Sequence, residues 1–589
     1  MASRDLDPAV SWGLEPAEIT NAIKQCTGTV GLLAVIKKHG ANFNRIHVSA
    51  ACTSATRVRG SRHEILQQLH VLVLAKMSEL GAREVANVLH STAKLHLSGW
   101  RSSRQLVEGL MLRATATADR LEPQGASTVM WALAKMEVTP HPALLEAVQR
   151  RATATIRQFN PQGVSNVLWA LATMGVRPDA DLLAAMQRRA TATATESTPQ
   201  GVSNVLWALA TMGVEPDAQL LLAMQRRALF IAPEFKPQEV VNLMWAMATI
   251  EVTPDAELLE AMQRQATEVA KRFIPQGVSN LMWALAKMGV QPHADLLEEM
   301  QWRAKALAGD FKPQEIASLL WALATMGEQP HPPVLDAMLH QADLSGGDFK
   351  PREISSLMWA LATMGKRPEQ DFLGKMQLRA TALEGEFMPK NISNLTWALA
   401  SMGVTPEVDL LEAMQRRATA LAGEFKPQET ANMLWAHACF IVPREPVRSQ
   451  EAPRQTSPQS SPAPTSDSQF RLFEAMAASL LSGFAALNVS EKAQIQRWLL
   501  SLSLEPAWKA CALPASVQRL QVSLFLSLTH THIFSFFFLP SLALARSLSF
   551  SMCISFVLTH THISHTHSVT HTHTPADARS LQAATLDHT

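Results

Sequence analysis

Residues 161–198 read PQGVSNVLWALATMGVRPDADLLAAMQRRATATATEST, and the chain repeats this 38-residue unit many times over. Trp131, Trp169, Trp207, Trp245, Trp283, Trp321, Trp359, Trp397 and Trp435 stand on one 38-residue grid, which holds nine of the 14 tryptophans. A strict period of this size marks a repeat array. Each unit stacks on the next because it cannot bury its apolar face alone.

Within the unit, the first half predicts a helix of about 14 residues. Pro161 suits the first helical turn, where a missing N–H costs nothing. Val164, Val167, Leu168, Leu171 and Met174 share one face at helical spacing. Gly175 ends the helix, because glycine accepts the left-handed conformation there. After the turn VRPD a second helix is expected. Asp179 and Asp181 lie in its first turn and Arg188 and Arg189 lie further along, in keeping with the helix dipole. Its apolar stripe is Leu182, Leu183, Met186 and Ala190. No strand signal appears, so the expected fold is all-α, an α-solenoid of helix–turn–helix repeats.

The grid loosens at both ends. Upstream, 83–90 (REVANVLH) fits the first-helix pattern with His90 in the tryptophan place, 41 residues before Trp131. Residues 16–23 (PAEITNAI) echo the same helix start. Residues 1–122 are therefore expected to be divergent helical repeats capping the regular array of 123–442. A Pro/Ser/Gln-rich run over 443–470 reads as a disordered insertion in a surface loop. Residues 471–512 read as a last degenerate repeat carrying Trp498. Residues 513–589 are low in complexity, with THTH at 529–532 and 559–562 and HTHT at 571–574. That alternation is what a CA-type microsatellite would encode. The segment is read as a gene-model artefact ahead of a membrane anchor or a metal-binding His tract.

The five cysteines show no paired spacing, which points to a reducing compartment. Asp5, Asp7 and Glu15 make the N-terminal stretch unlike a signal or transit peptide. The regular array holds 27 Lys and Arg against 33 Asp and Glu, whereas residues 1–122 hold 15 against 10. The array is thus no basic stripe, which counts against strong non-specific nucleic-acid binding. No phosphate-cradling glycine loop, metal quartet or nucleophile–base set appears, so no enzyme, cofactor or small-molecule substrate is expected.

Counting from the repeat's proline, position 6 is Thr128, Asn166, Asn204, Asn242, Asn280, Ser318, Ser356, Asn394 and Asn432. It is always small and hydrogen-bonding. Helical spacing is expected to place it with positions 2, 10 and 13, away from the apolar stripe. Asn is a poor mid-helix residue, so its recurrence needs a reason. One reason is base readout, as in helical-repeat proteins that read one base per repeat. The other is hydrogen bonding that caps or bridges neighbouring helices. Position 2 is Gln, or a base at Arg352 and Lys390. The tryptophan at position 9 is read as packing between adjacent helices rather than as a stacking platform. The second-helix arginines (Arg150/Arg151, Arg188/Arg189, Arg226/Arg227, Arg264, Arg303, Arg379 and Arg416/Arg417) are read as a solvated face ahead of a phosphate track. His141, His293 and His331 are read as helix-start variants.

The unit P-Q-x-(V/I)-(S/A)-N-x-x-W-A-L-A-x-M-G-V-x-P resembles the octotricopeptide repeat, closely over 123–442 and more loosely on the flanks. That family overlaps with FAST-kinase-like and RAP-domain proteins. No RAP-like segment is visible here. The resemblance implies an RNA-binding factor acting on chloroplast or mitochondrial transcripts, in their stability, processing or translation. It implies single-stranded RNA as partner, contacted at the position-6 residues. Protein partners stay open, as an α-solenoid interaction scaffold is the alternative, and a membrane role is disfavoured.

Overall fold

The computed structural model describes residues 15–100, 102–441 and Met476. The insertion, the degenerate last repeat (Met476 apart) and the His-Thr tail expected from the sequence lie outside them. The described residues form 23 α-helices linked by short 3₁₀ turns, with no β-strand among them. First helices run from Pro123–Lys135 through Pro161–Thr173 and Pro199–Thr211 to Pro427–Ile441. Second helices run from Pro142–Ala154 through Ala180–Ala192 to Val408–Ala420. Three pairs precede them: Pro16–Gln25 with Thr29–His39, Arg45–Ala55 with His63–Ala75, and Ala82–Leu97 with Arg104–Ala116.

Each first helix packs chiefly on the first helices before and after it, and second helices touch one another less closely. The reason lies in the WALA segment. Ala170 and Leu171 are fully buried, as are their counterparts Ala208 and Leu209 in the next copy. An alanine at a helix crossing lets two backbones approach closely. Of the expected stripe, Val164, Val167, Leu168 and Leu171 are buried, whereas Met174, at the helix end, is half-buried.

Helix ends follow local chemistry. Where position 3 is Gly, Asn160 and Thr198 accept the N–H of Gly163 and Gly201 at 2.8 and 3.2 Å. Where it is Glu, the carboxylate accepts the backbone N–H of the residue before the proline, as Glu239 does from Lys236 at 2.8 Å. At the other end Gly175 has φ +66°. In two repeats a glutamate takes that place, and Glu137 and Glu251 are held at φ +56° and +58°.

Two recurring anchors were not read from the sequence. The residue two before the proline is phenylalanine in seven repeats: Phe159, Phe235, Phe273, Phe311, Phe349 and Phe387, each at most 1% exposed, and Phe425, 7% exposed, all buried between the second helix and the next first helix. The second helix also ties the array in both directions. Gln187 Oε1 accepts the N–H of Asp217 in the next repeat at 2.8 Å, and Gln263 and Gln301 do the same for His293 and His331. Arg189 Nε donates to the Phe159 carbonyl at 2.6 Å, behind its own first helix. Arg151, Arg227, Arg303, Arg379 and Arg417 make the equivalent bond. The second arginine of each pair is therefore a structural tether, not part of a solvated face or a phosphate track.

Candidate functional site

The position-6 residues lie in one row along the first-helix layer, and all nine are half-buried. The residues beside them differ from the sequence reading in one respect. Position 10 is alanine and fully buried at Ala132, Ala170, Ala208, Ala246, Ala284, Ala322, Ala360 and Ala398. The row's neighbours are instead positions 2, 9 and 13. Positions i+3 and i+4 both lie near a given residue on a helix, and close packing takes the alanine inward and leaves the indole outward.

The tryptophans do pack between repeats, but they are not core. All nine are half-buried, while the residues on either side of them are mostly sealed. Ring centroids of Trp207 and Trp245 lie 6.5 Å apart, and those of Trp321, Trp359 and Trp397 follow at 6.4 Å each, tilted by 34–38°. His90 extends the row, 5.2 Å from Trp131. Burial, and secondarily Lys94, lowers the His90 pKa and favours its neutral ring.

Two residues of the position-6 row accept bonds from position 2 of their own helix. Gln238 donates to Asn242 Oδ1 at 2.8 Å and Gln428 to Asn432 Oδ1 at 3.0 Å. Ser165 and Ser203 at position 5 donate back to the carbonyls of Gln162 and Gln200. Bonds between repeats also form beside the row: Asn391 at position 3 donates to Ser355 of the preceding repeat at 3.2 Å, and Lys287 at position 13 donates to Glu251 of the preceding repeat at 3.0 Å. A half-buried row of amides and hydroxyls, steadied within its own helix at Asn242 and Asn432, can meet a ligand edge.

Charge separates this face from the rest of the array. Position 2 is Gln in seven repeats, with Arg352 and Lys390 in the others. Position 13 is Lys135, Thr173, Thr211, Thr249, Lys287, Thr325, Thr363, Ser401 and Cys439. Across positions 2, 6, 9 and 13 there are four bases and no acid, although the array as a whole has an excess of acids. Acids at position 3, such as Glu239 and Glu315, are spent on capping.

The same quartet continues one copy upstream. In Ala82–Leu97 it is Arg83, Asn87, His90 and Lys94, with Arg83, Asn87 and Lys94 exposed. Asn87 was missed in the sequence because the grid slips by three residues there. The signal was present, since 83–90 had already been aligned. The next helix upstream, Arg45–Ala55, offers Ile46, Ala50 and Thr53 instead, so the pattern stops. On the second helices, His141, His293 and His331 sit at N-caps as expected. Arg150 and Arg416 are exposed and paired with Glu146 and Glu384. No cluster of three metal-ligating side chains forms among the described residues. No helix among them is long and apolar enough to cross a membrane.

Comparison with known proteins adds a family. No curated protein matches the chain. Among solved structures, a homology model of the full-length AP-3 complex in an intermediate open conformation is 10% identical, with a TM-score of 0.25, covering 88% of this chain and 93% of that one. An engineered structural-genomics protein is also 10% identical, with a TM-score of 0.16, covering 64% and 98%. Neither likeness carries functional weight at those scores. A family model described as RNA-editing substrate-binding complex 6 protein matches residues 35–179, 178–293 and 217–445. The matched segments run from within Thr29–His39 to just past Pro427–Ile441, and so across all of the regular array. The chain belongs to the RNA-editing substrate-binding complex 6 protein family.

Proposed function

We propose that this chain binds single-stranded RNA along its first-helix face and selects sequence through the position-6 row, at about one base per repeat. The observation that carries this reading is a set of four aligned positions holding only amides, hydroxyls, indoles, a thiol and bases in an otherwise acid-rich array. Asn, Ser and Thr side chains reach the edges of unstacked bases. Lys135, Arg352 and Lys390, with Arg83 and Lys94 upstream, would meet phosphates, whereas Lys287 is paired with Glu251 at 3.0 Å. With Asn87 included, the row offers ten reading positions. The family's description, which names RNA editing and substrate binding, supports RNA as the partner. The octotricopeptide-like unit supports an organellar transcript, in chloroplast or mitochondrion. The protein would act by occupancy, shielding or remodelling RNA without chemistry of its own.

The test is binding of a labelled single-stranded RNA pool to the full chain at near-physiological salt, with duplex RNA of equal length as control. Single strands should bind and duplex should compete poorly.

A second reading, a protein scaffold, has one observation in its favour. The outer row of the second helices is Arg150, Arg188, Arg226 and Arg264 in four successive repeats, then Trp302, His340 and Leu378, then Arg416. Trp302 and Leu378 are 42% and 74% exposed. An apolar break in a basic row suits a protein contact, and it lies on the other helix layer, so the two readings are compatible.

A further inference from the structure

The indole row invites a role beyond packing. If position 9 served packing alone, its ring would be sealed like Leu168 and Leu171 on either side of Trp169, both fully buried. A Trp only partly buried in nine successive repeats, with His in a tenth, instead leaves some ring surface facing water. The face of the ring can be reached from that side. Lys135, at position 13 of one repeat, places its ammonium 4.4 Å over the ring of Trp169 in the next. That is a cation–π contact made from the solvent-facing row. The tilts of 34–38° between neighbouring rings mean that they do not cover each other face to face.

We infer that the aromatic row from His90 to Trp435 is a stacking track for nucleobases, one ring per repeat, beside the amide row that reads their edges. This rests on the RNA-binding reading above and names the contact that supplies its sequence-independent affinity. The chemistry divides naturally. A base has a π face that any aromatic ring can accept, whatever the base. It also has an edge that only a positioned donor or acceptor can distinguish. Position 9 and position 6 lie three residues apart on one helix, so one bound base can meet both. The neutral ring favoured at His90 suits the same stacking role at the end of the track.

The experiment uses the full chain and two RNA probes of 20 nucleotides, one of mixed sequence and one abasic throughout. Binding is followed by anisotropy of a 5′ label and, separately, by tryptophan emission. The ordinary RNA should quench the emission and the abasic strand should not. The double variant Trp207→Leu/Trp245→Leu should bind the ordinary RNA about tenfold or more weakly, since each stacked base contributes appreciably. Trp207→Phe/Trp245→Phe, which keeps two rings, should stay within about threefold of the native chain. If the RNA binds but emission does not change, and the leucine variant binds as tightly as the native chain, the indoles only pack and base reading survives without them. If the native chain binds neither probe, the RNA-binding reading falls and the stacking track with it. Should the leucine variant lose its helical signal, the contrast between ordinary and abasic RNA on the native chain decides alone.

Discussion

Replacing Arg189 should loosen the array where replacing its neighbour Arg188 should not. Arg189 Nε donates to the Phe159 carbonyl at 2.6 Å from a half-buried position, whereas Arg188 is exposed. A hydrogen bond from a charged donor contributes about 1.5–3 kcal/mol, and a neutral one about 0.5–1.5 kcal/mol. Arg189→Met keeps the apolar stem and removes the donor, so it should cost about 1.5–3 kcal/mol. Two repeats already contain a milder substitution. Gln265 and Gln341 stand in the arginine's place and donate to the carbonyls of Phe235 and Phe311 at 2.7 and 3.1 Å. Arg189→Gln should therefore recover about a third to a half of the loss. Arg188→Met should stay within about 0.5 kcal/mol of the native chain. A repeat array can unfold in segments, so a single melting curve is the wrong assay. Amide exchange read over residues 156–192 reports local opening directly. Arg189→Met should raise exchange there by about ten- to a hundredfold, with little change beyond the adjacent repeats. Equal effects of Arg188→Met and Arg189→Met would refute the tether, as would a glutamine variant no better than the methionine one.

Glu137→Gly should raise the local stability of the first regular repeat, read by amide exchange over 123–154, by about 0.5–1 kcal/mol, because a non-glycine residue at φ +56° is strained. Gly175→Ala should lower that of its own repeat by a similar amount, and the opposite signs would contradict the left-handed assignment. His437 replaces the buried Leu of other copies, and burial pushes its imidazole down to about 4 despite the bond to the Met433 carbonyl. The folded pKa lies below the unfolded one, so stability is full above about pH 6.5 and is lost as pH falls towards 4, by roughly 3 kcal/mol at most. His437→Leu should flatten that decline in exchange rates over 427–440, and an unchanged profile would show that another group titrates. Asn87→Ala should remove base preference at one end of the bound sequence only, read by sequencing the RNA retained, while leaving helicity intact.

The helix pairs were legible because each unit carries its own punctuation: proline at the start, glycine at the stop and apolar residues at helical spacing. The amide row was legible as a composition, since Asn inside a helix has no local reason to recur. Its neighbours were harder to place. A helical wheel puts positions 9 and 10 almost equally close to position 6, and hydrophobicity alone sends Trp inward and leaves Ala ambiguous. The close approach of successive first helices reverses this, because only alanine fits at the crossing. The Gln187 and Arg189 tethers were illegible for a related reason. Their partners are backbone groups 30 residues away, and a backbone carbonyl has no residue type to recognise. Arg188 and Arg189 are identical in sequence and unlike in place. Phe159 and its counterparts keep a fixed distance from the proline, but they lie outside both helical stripes, so helical periodicity does not mark them.

Selection of a random single-stranded RNA pool on the purified full chain, at near-physiological salt, tests the central claim most directly. The account predicts an enriched motif of about ten bases. It also predicts that Asn204→Ser with Asn242→Ser changes the preference at two adjacent bases and nowhere else. A folded helical chain that enriches no motif, or a motif unmoved by those two substitutions, would contradict it.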